Sequence, residues 1–343
     1  MRSTLKKVSC LTASVLCWAY LAVLFGWLAL HLLTSDRFIY LALLNYLVVY
    51  LFYPLPVVLG VAWLCRRVSL WVGFAIGALA FAWFWGGLYL PRLYAPPTSE
   101  PALTVMTYNV LAWHRYTDPI IATIRAENPD IVLLQELNTD LAQALGKELG
   151  RAYPYQVLEP ADNPTGIGVI SKHPIRPTGE HLPLRWIGGP QVLELLWNGQ
   201  RVTLVNFHLV PTTGISPRDQ VEDSLRLRES QARLLADLAG RSGLVILGGD
   251  ANASPLMVAY QILADQLDDA WQEAGFGLGH TFPGSAIPES DRPKIGNYYV
   301  PQWLARIDYV FHSDEWVTIS ARTAQIDGVS DHRGVVALLK LRR

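Results

Sequence analysis

The sequence of 343 residues predicts an α/β domain of two packed sheets covered by helices, preceded by three apolar helical spans. Three observations carry this. Residues 8–35, 38–65 and 68–91 contain no Asp, Glu, Lys or Arg. From residue 103 onward strand-like and helix-like segments alternate, and the dipeptide Asn198-Gly199, suited to a tight hairpin turn, separates two strand-like runs.

Taken in order, residues 1–97 are roughly 70 per cent apolar and carry seven Lys/Arg against one acidic residue, Asp36; the rest of the chain carries 21 against 28. The net charge of −1 therefore conceals a basic apolar part and an acidic polar part. Each charge-free stretch exceeds the ~20 residues a membrane-crossing helix needs, which gives an all-α transmembrane region over residues 1–93 with spans at about 10–33, 38–64 and 68–90. A cleaved signal peptide would offer a single apolar region of only ~7–15 residues. Pro54 and Pro56 are expected to kink the second span. Arg2, Lys6 and Lys7 precede the first span and Arg66 and Arg67 lie between the second and third, so both basic clusters share one side. The positive-inside rule makes that side cytoplasmic, and three crossings then place the polar domain outside the cell membrane; if the Pro54/Pro56 segment re-enters instead of crossing, the polar domain is cytoplasmic. Residues 94–101, YAPPTSEP, read as a stiff linker that keeps this domain within ~25 Å of the bilayer.

The polar domain, residues 102–343, reads as strand 103–111, helix 119–127, strand 131–136 and helix 141–149. A hairpin of 191–197 and 201–209 follows, then a helix whose one face carries Leu227, Gln231, Leu234, Leu235 and Leu238. A buried strand at 244–247 runs into Gly248-Gly249, and strands 306–312, 316–326 and 334–341 finish the chain. All three cysteines, Cys10, Cys17 and Cys65, lie in the apolar part, which excludes a thiol nucleophile or cysteine-bound zinc from the polar domain and disfavours a disulfide scaffold.

Polar residues recur where apolar strands end: Asn109 after TVMTY, Glu136 after IVLLQ, Asp250 and Asn252 after LVILGG, Asp308 inside RIDYVF, and Asp331-His332 after a short turn. In TLVNFHL, Asn206 and His208 share a face. Burying several carboxylates together is costly unless a cation neutralises them, and hard oxygen donors without cysteine or a His-x-x-x-His pair point to Mg²⁺ or Mn²⁺. Phosphate chemistry is the usual task of such an ion, with a carboxylate activating water and a histidine supplying a proton.

TYNV around Asn109, Gln135-Glu136, FHL around His208, GGDAN at 248–252, RIDYVF around Asp308 and SDH at 330–332 together resemble the ordered signature of the endonuclease/exonuclease/phosphatase superfamily, over about 230 residues. The resemblance implies a four-layer sandwich of two mixed β-sheets flanked by helices. It implies Glu136 as the main metal ligand with Asn109 and Asp331 near the ion, Asp250 orienting or activating water, Asn252 contacting the phosphate, and His332, paired with Asp308, contacting phosphoryl oxygens. His208 is similar to the histidine of deoxyribonuclease-I-like, sphingomyelinase-like and inositol-phosphatase-like members, and its presence disfavours the abasic-site nucleases. The layout of three spans before this domain resembles the family's bacterial membrane-anchored branch.

Other motifs point to bland roles. Gly275, Gly277 and Gly279 lack the strand and third glycine of a dinucleotide site, and adjacent Ser330-Asp331-His332 cannot form a triad because neighbouring side chains diverge. Arg226 and Arg228, near Glu222 and Asp223, are expected on a solvated helix face. In KIGNYYVPQWL, residues 294–304, Tyr298, Tyr299, Trp303 and Leu304 suit either loop packing or a substrate- or membrane-facing surface. The expected substrate is a phosphate ester or phosphodiester, preferably lipid-linked, because tethering raises the local concentration of headgroups. A tethered endonuclease or exonuclease is the alternative; the acidic balance of the domain and its lack of a basic run disfavour nucleic acid. No protein partner is evident.

Overall fold

The computed structural model describes residues 2–90, 101–212, 218–284, 294–295, 297–325 and 328–342. The chain divides into two compact units, Met1–Leu90 and Pro91–Arg343. The linker expected at 94–101 lies, apart from Pro101, outside the described residues.

The first unit holds helices α1 (Arg2–Thr34), α2 (Ile39–Asn45), α3 (Leu55–Leu64) and α4 (Val68–Trp85). Leu21 and Leu24 of α1 are fully buried against their neighbours. Gly73 and Gly77, four residues apart on α4, let the helices approach: a Cβ at either would come within 2.5 Å of Leu21 or 2.7 Å of Leu55. Two helical stretches, Lys7–Thr34 and Val68–Tyr89, are long and apolar enough to cross a membrane. The expected second span differs. Its residues form two pieces, Ile39–Asn45 and Val48–Leu64, bent by 76°, so the chain has two continuous candidates, or three if the bent pair is one span. The break falls at residues 46–47, ahead of the prolines: Asn45 accepts a hydrogen bond from the Trp27 indole at 3.1 Å, while Pro54 is the N-cap of α3 and Pro56 lies in its first turn, where a missing N–H costs nothing.

The second unit contains strands β1 (Ala102–Asn109), β2 (Ile131–Gln135), β3 (Tyr155–Glu159), β4 (Ile167–Ser171), β5 (Ile175–Pro177), β6 (Gly188–Trp197), β7 (Gln200–His208), β8 (Val245–Asp250), β9 (Asp268–Asp269), β10 (Lys294–Ile295), β11 (Tyr298–Tyr299), β12 (Asp308–His312), β13 (Trp316–Thr323) and β14 (Val335–Leu341). Its helices are α5 (Asp118–Glu127), α6 (Thr139–Leu149), α7 (Arg218–Gly240), α8 (Val258–Ala264) and α9 (Ala270–Ala274). One six-stranded sheet runs β13-β14-β1-β2-β4-β3 and the other β5-β6-β7-β8-β12-β9. Each is mixed, because β1 pairs parallel with β2 and β7 with β8 while the remaining pairs are antiparallel. Asn198 and Gly199 adopt left-handed φ of 49° and 76°, making the tight β6–β7 turn expected of that dipeptide.

Ile120, Ile121 and Ile124 of α5 and Leu141, Leu145 and Leu149 of α6 cover the outer face of the first sheet, packing on Met106, Val132 and Leu134. Asn138 caps α6 by accepting the Leu141 amide at 2.8 Å. Tyr260 of α8 packs its ring, tilted, against Tyr309 and Phe311 of the second sheet. Between the sheets, Gly248 lies so close to Leu133 that an added Cβ would sit 2.4 Å from its Cδ1, and Asn206 bonds to Gln135 (2.7 Å) and to the Leu134 and Gly168 carbonyls. Arg228, expected in solvent, is buried instead and donates to the Val210 carbonyl at 2.8 Å and to Thr212 Oγ1 at 2.6 Å. The backbone after β7 has carbonyls to satisfy, and a guanidinium supplies several donors at once.

Candidate active site

The strand registers bring the candidate residues to one edge of both sheets. Asn109 ends β1 beside Gln135 at the end of β2, which positions Glu136. His208 at the end of β7 lies opposite Asp250 at the end of β8, and Asp308 at the start of antiparallel β12 also pairs with Asp250. Ser330 closes the group by donating to the Asn109 carbonyl at 2.7 Å and accepting the His332 amide at 3.0 Å.

Two residues leave their strands in left-handed backbone conformations, Glu136 (φ 59°) and Asn252 (φ 47°). Asparagine tolerates this; for glutamate it is strain of the kind found at functional sites. Asn109 Nδ2 donates to Glu136 Oε1 at 3.0 Å and to Asp250 Oδ2 at 3.1 Å, tying the ends of three strands together. Glu136 Oε2 accepts the Ala112 amide at 3.2 Å. Asp250 Oδ1 accepts the Asn252 amide at 2.8 Å, and its Oδ2 lies 3.5 Å from His208 Nε2 and 3.8 Å from His332 Nε2. His332 Nδ1 meets Asp308 Oδ2 at 2.9 Å, and its Nε2 is 3.9 Å from Asp331 Oδ1. Asn252, expected to contact phosphate, has its Nδ2 engaged with the Leu209 carbonyl at 3.0 Å.

The electrostatics follow from this crowding. Burial raises the pKa of Asp250, Asp308 adds to the rise, and the His332 and His208 imidazoles oppose it. Burial likewise pushes Asp331 up to about 6; His332 opposes this, and Glu136 and Asp250 add to it. For His332, burial alone would lower the pKa, yet the Asp308 and Asp250 carboxylates outweigh it and hold the ring well above its ordinary value. Asp308 is thus placed to fix the ring with Nδ1–H toward itself and Nε2–H toward the site mouth.

Four carboxylates face two imidazoles here, and Asp308 Oδ1, Asp331 Oδ1 and His208 Nδ1 are buried with no hydrogen-bond partner among the described residues. That surplus of buried negative charge and of unsatisfied oxygen is what a divalent cation would answer. Asp250, Asp308 and His332 come within 4.8 Å of one another, but His332 already bridges the two carboxylates; the uncompensated side is that of Glu136 and Asp331. A second cluster, Asp268, Glu273 and His312, neutralises itself, since Arg342 reaches Asp268 (3.1 Å) and Glu273 (2.8 Å) and His312 bonds Glu273 (3.0 Å).

Comparison with known proteins decides the family. The profile described as "Endonuclease/Exonuclease/phosphatase family" matches residues 106–332. The chain belongs to this family. No match was found among curated proteins. Similar solved structures include an endonuclease/exonuclease/phosphatase from Beutenbergia cavernae (22% identity, 70% of this chain and 72% of that chain, TM-score 0.51). Another is D. rerio TDP2 complexed with single strand DNA product (18%, 70% and 100%, TM-score 0.54), and a third a family protein from Bacteroides thetaiotaomicron (16%, 71% and 100%, TM-score 0.52). At these identities the likeness is one of fold: two mixed sheets flanked by helices, as in the deoxyribonuclease-I-like proteins. Family members are phosphoesterases and nucleases, so hydrolysis of phosphoester bonds is the reaction class of this endonuclease/exonuclease/phosphatase domain.

All eight candidates lie at the same sheet edge. Several supporting residues escaped the sequence reading. Thr281 Oγ1 accepts the amides of Ile307 (3.2 Å) and Asp308 (3.4 Å), and the Phe282 ring packs 4.9 Å from the His332 ring. Gln135 braces Thr107 and Asn206 beneath the site. Hydroxyls and aromatics that hold other side chains carry no signal of spacing.

Proposed function

We propose that the chain is a membrane-anchored, divalent-cation-dependent phosphoesterase that hydrolyses a phosphate ester or phosphodiester of a lipid-linked substrate at the outer membrane surface. The convergence of Glu136, Asp250, Asp308 and Asp331 with His208 and His332 at one sheet edge carries the chemistry. Mg²⁺ or Mn²⁺ held by Glu136 with Asn109 and Asp331 would polarise a phosphoryl oxygen and stabilise the charge that develops on it. Asp250, its pKa raised by burial, is suited to accept a proton from the attacking water. His332, held protonated by Asp308, donates from Nε2 to a phosphoryl oxygen, and His208 Nε2 stands 3.5 Å from Asp250 Oδ2. Asn109 holds Glu136 and Asp250 at fixed separation through its two hydrogen bonds.

The lipid-linked substrate is supported by the helices of the first unit and by the short linker of the sequence. Exposed apolar side chains stand on connections at the site's end of the sheets: Trp113 and Tyr116 after β1 and Leu184 ahead of Gly188, which pairs with His208. Tyr116 is 64% and Trp113 60% exposed, which suits contact with lipid better than with water. On this reading the N-terminus is cytoplasmic and the catalytic unit extracytoplasmic. The rival, a tethered nuclease, is favoured by the DNA-bound TDP2 among the similar folds and opposed by the acidic balance of the domain. The test is phosphodiester hydrolysis by purified protein with Mg²⁺ or Mn²⁺: loss of turnover in Glu136→Ala and His332→Ala, with folding retained, is expected, and full activity in both would defeat the assignment.

A further inference from the structure

The first unit carries a cavity of about 1090 Å³ that the hydrolytic site does not use. Lys7, Arg66 and Arg67 line it together with Leu11, Leu64 and Trp63, and the Cys10–Cys65 disulfide pins its two walls, residues from segments 55 apart in sequence with Cα atoms 5.6 Å from each other. None of the described residues lining it is acidic. The unit's one acidic residue, Asp36, lies beyond the far end of the continuous helix α1, and the 29 residues from Lys7 put it roughly 40 Å away along the axis. Within the first unit the three cations therefore have no acidic counter-charge within several screening lengths at physiological salt.

We infer that this cavity is a binding site for the phosphate-bearing headgroup of an anionic lipid. Three cations answer the phosphate, while Leu11, Leu64 and the 70% exposed Trp63 offer an apolar and aromatic wall at the depth where headgroup meets acyl chain. Free inorganic phosphate would use the cations alone; the apolar lining selects the lipid. The volume suits a glycerophospholipid headgroup rather than a bare ion. The inference rests on the reading that the N-terminal helices cross a bilayer, and is independent of which substrate the second unit hydrolyses.

The test uses the full chain in nanodiscs of phosphatidylcholine with or without phosphatidylglycerol, followed by native mass spectrometry of lipid retained after detergent extraction. Wild type is expected to keep phosphatidylglycerol selectively, and the triple variant Lys7→Gln/Arg66→Gln/Arg67→Gln to lose it by on the order of a hundredfold, three cations at the surface each contributing about fivefold. Arg66→Lys/Arg67→Lys, which keeps the charge, should retain it, as should Arg37→Gln, which removes a cation elsewhere. Symmetric nanodiscs separate binding from any change in insertion caused by moving positive charge. Equal loss in Arg37→Gln, no selectivity in wild type, or displacement by inorganic phosphate would each overturn the lipid assignment. Alkaline carbonate extraction of membranes checks the underlying reading separately: a chain that stays in the pellet but binds no phosphatidylglycerol refutes the site and leaves the anchor standing.

Discussion

Asp308→Asn isolates the role of a single charge. The side chain of Asp308 is fully buried, and its Oδ2 lies 2.9 Å from His332 Nδ1. At that separation, with an effective dielectric of about 20, the attraction between carboxylate and imidazolium is on the order of 5 kcal/mol, enough to outweigh the burial that otherwise lowers the ring's pKa. Asparagine keeps the shape and can still accept from Nδ1–H, but removes the charge, so His332 should lose its proton at a lower pH than in wild type. Turnover at neutral pH is expected to fall by about 10²–10⁴ with KM little changed, and the alkaline limb of the pH profile to move to lower pH. A raised imidazole pKa contributes stability that is complete below the unfolded value of ~6.5 and is lost as pH rises through the folded value. The variant should therefore lose more stability in urea at pH 6 than at pH 9. Histidine ¹⁵N chemical shifts across pH, read beside turnover, check the chain of reasoning. An unmoved His332 titration with unmoved kcat would refute it.

Other expectations concern the cation, the fold and the anchor. Glu136→Gln should abolish the thermal stabilisation by Mg²⁺ or Mn²⁺ seen in wild type, measured by calorimetry; equal stabilisation in both would remove Glu136 from the ion's neighbourhood. Because Asp331 has its pKa raised to about 6, the cation-free protein loses stability as pH climbs from ~4 through that value, so added cation should raise Tm more at pH 7.5 than at pH 5. Arg228→Met should destabilise the catalytic unit by about 1–3 kcal/mol in urea, since the Val210 carbonyl loses its buried donor; an unchanged midpoint would return Arg228 to the solvated face the sequence suggested. Cys10 and Cys65 sit beside Arg66, on the side that positive charge marks as cytoplasmic, where thiols are normally kept reduced. Maleimide labelling in intact and permeabilised cells distinguishes the cases: reactive thiols only after permeabilisation agree with the proposed orientation, whereas a bridge that resists labelling until reduction argues that this face is outside.

What the sequence made legible was what depends on period and on strand ends. The apolar runs that became β1, β2, β7, β8 and β12 could be read because each is buried on both faces and ends in a polar residue that has no business in a core, and the Asn198-Gly199 turn because its backbone needs left-handed φ. Strands β3, β4 and β5 were not, since they are short and β3 and β5, at the sheet edges, carry no strong alternation. Arg228 was misplaced because helical spacing cannot reveal that a loop carbonyl will lie within reach of one arginine of a charged stretch. The kink expected at Pro54 and Pro56, the stronger local signal, lies instead near residue 46, where a Trp27–Asn45 contact joins two helices. Pairing of Cys10 with Cys65 depends on how helices pack, which composition does not encode. The site residues themselves could be named in sequence; their spatial order, with Asn109 hydrogen-bonded to both Glu136 and Asp250, and His332 hydrogen-bonded to Asp308 with its other nitrogen facing Asp250, needed the fold.

The measurement that bears most directly on the central claim is turnover by the full chain with Mg²⁺, in lipid, on three substrates side by side: a polyprenyl pyrophosphate, sphingomyelin and plasmid DNA. Hydrolysis of a lipid phosphate that disappears in Glu136→Gln, with DNA left intact, is the predicted result. Clean DNA cleavage with both lipids inert would contradict it.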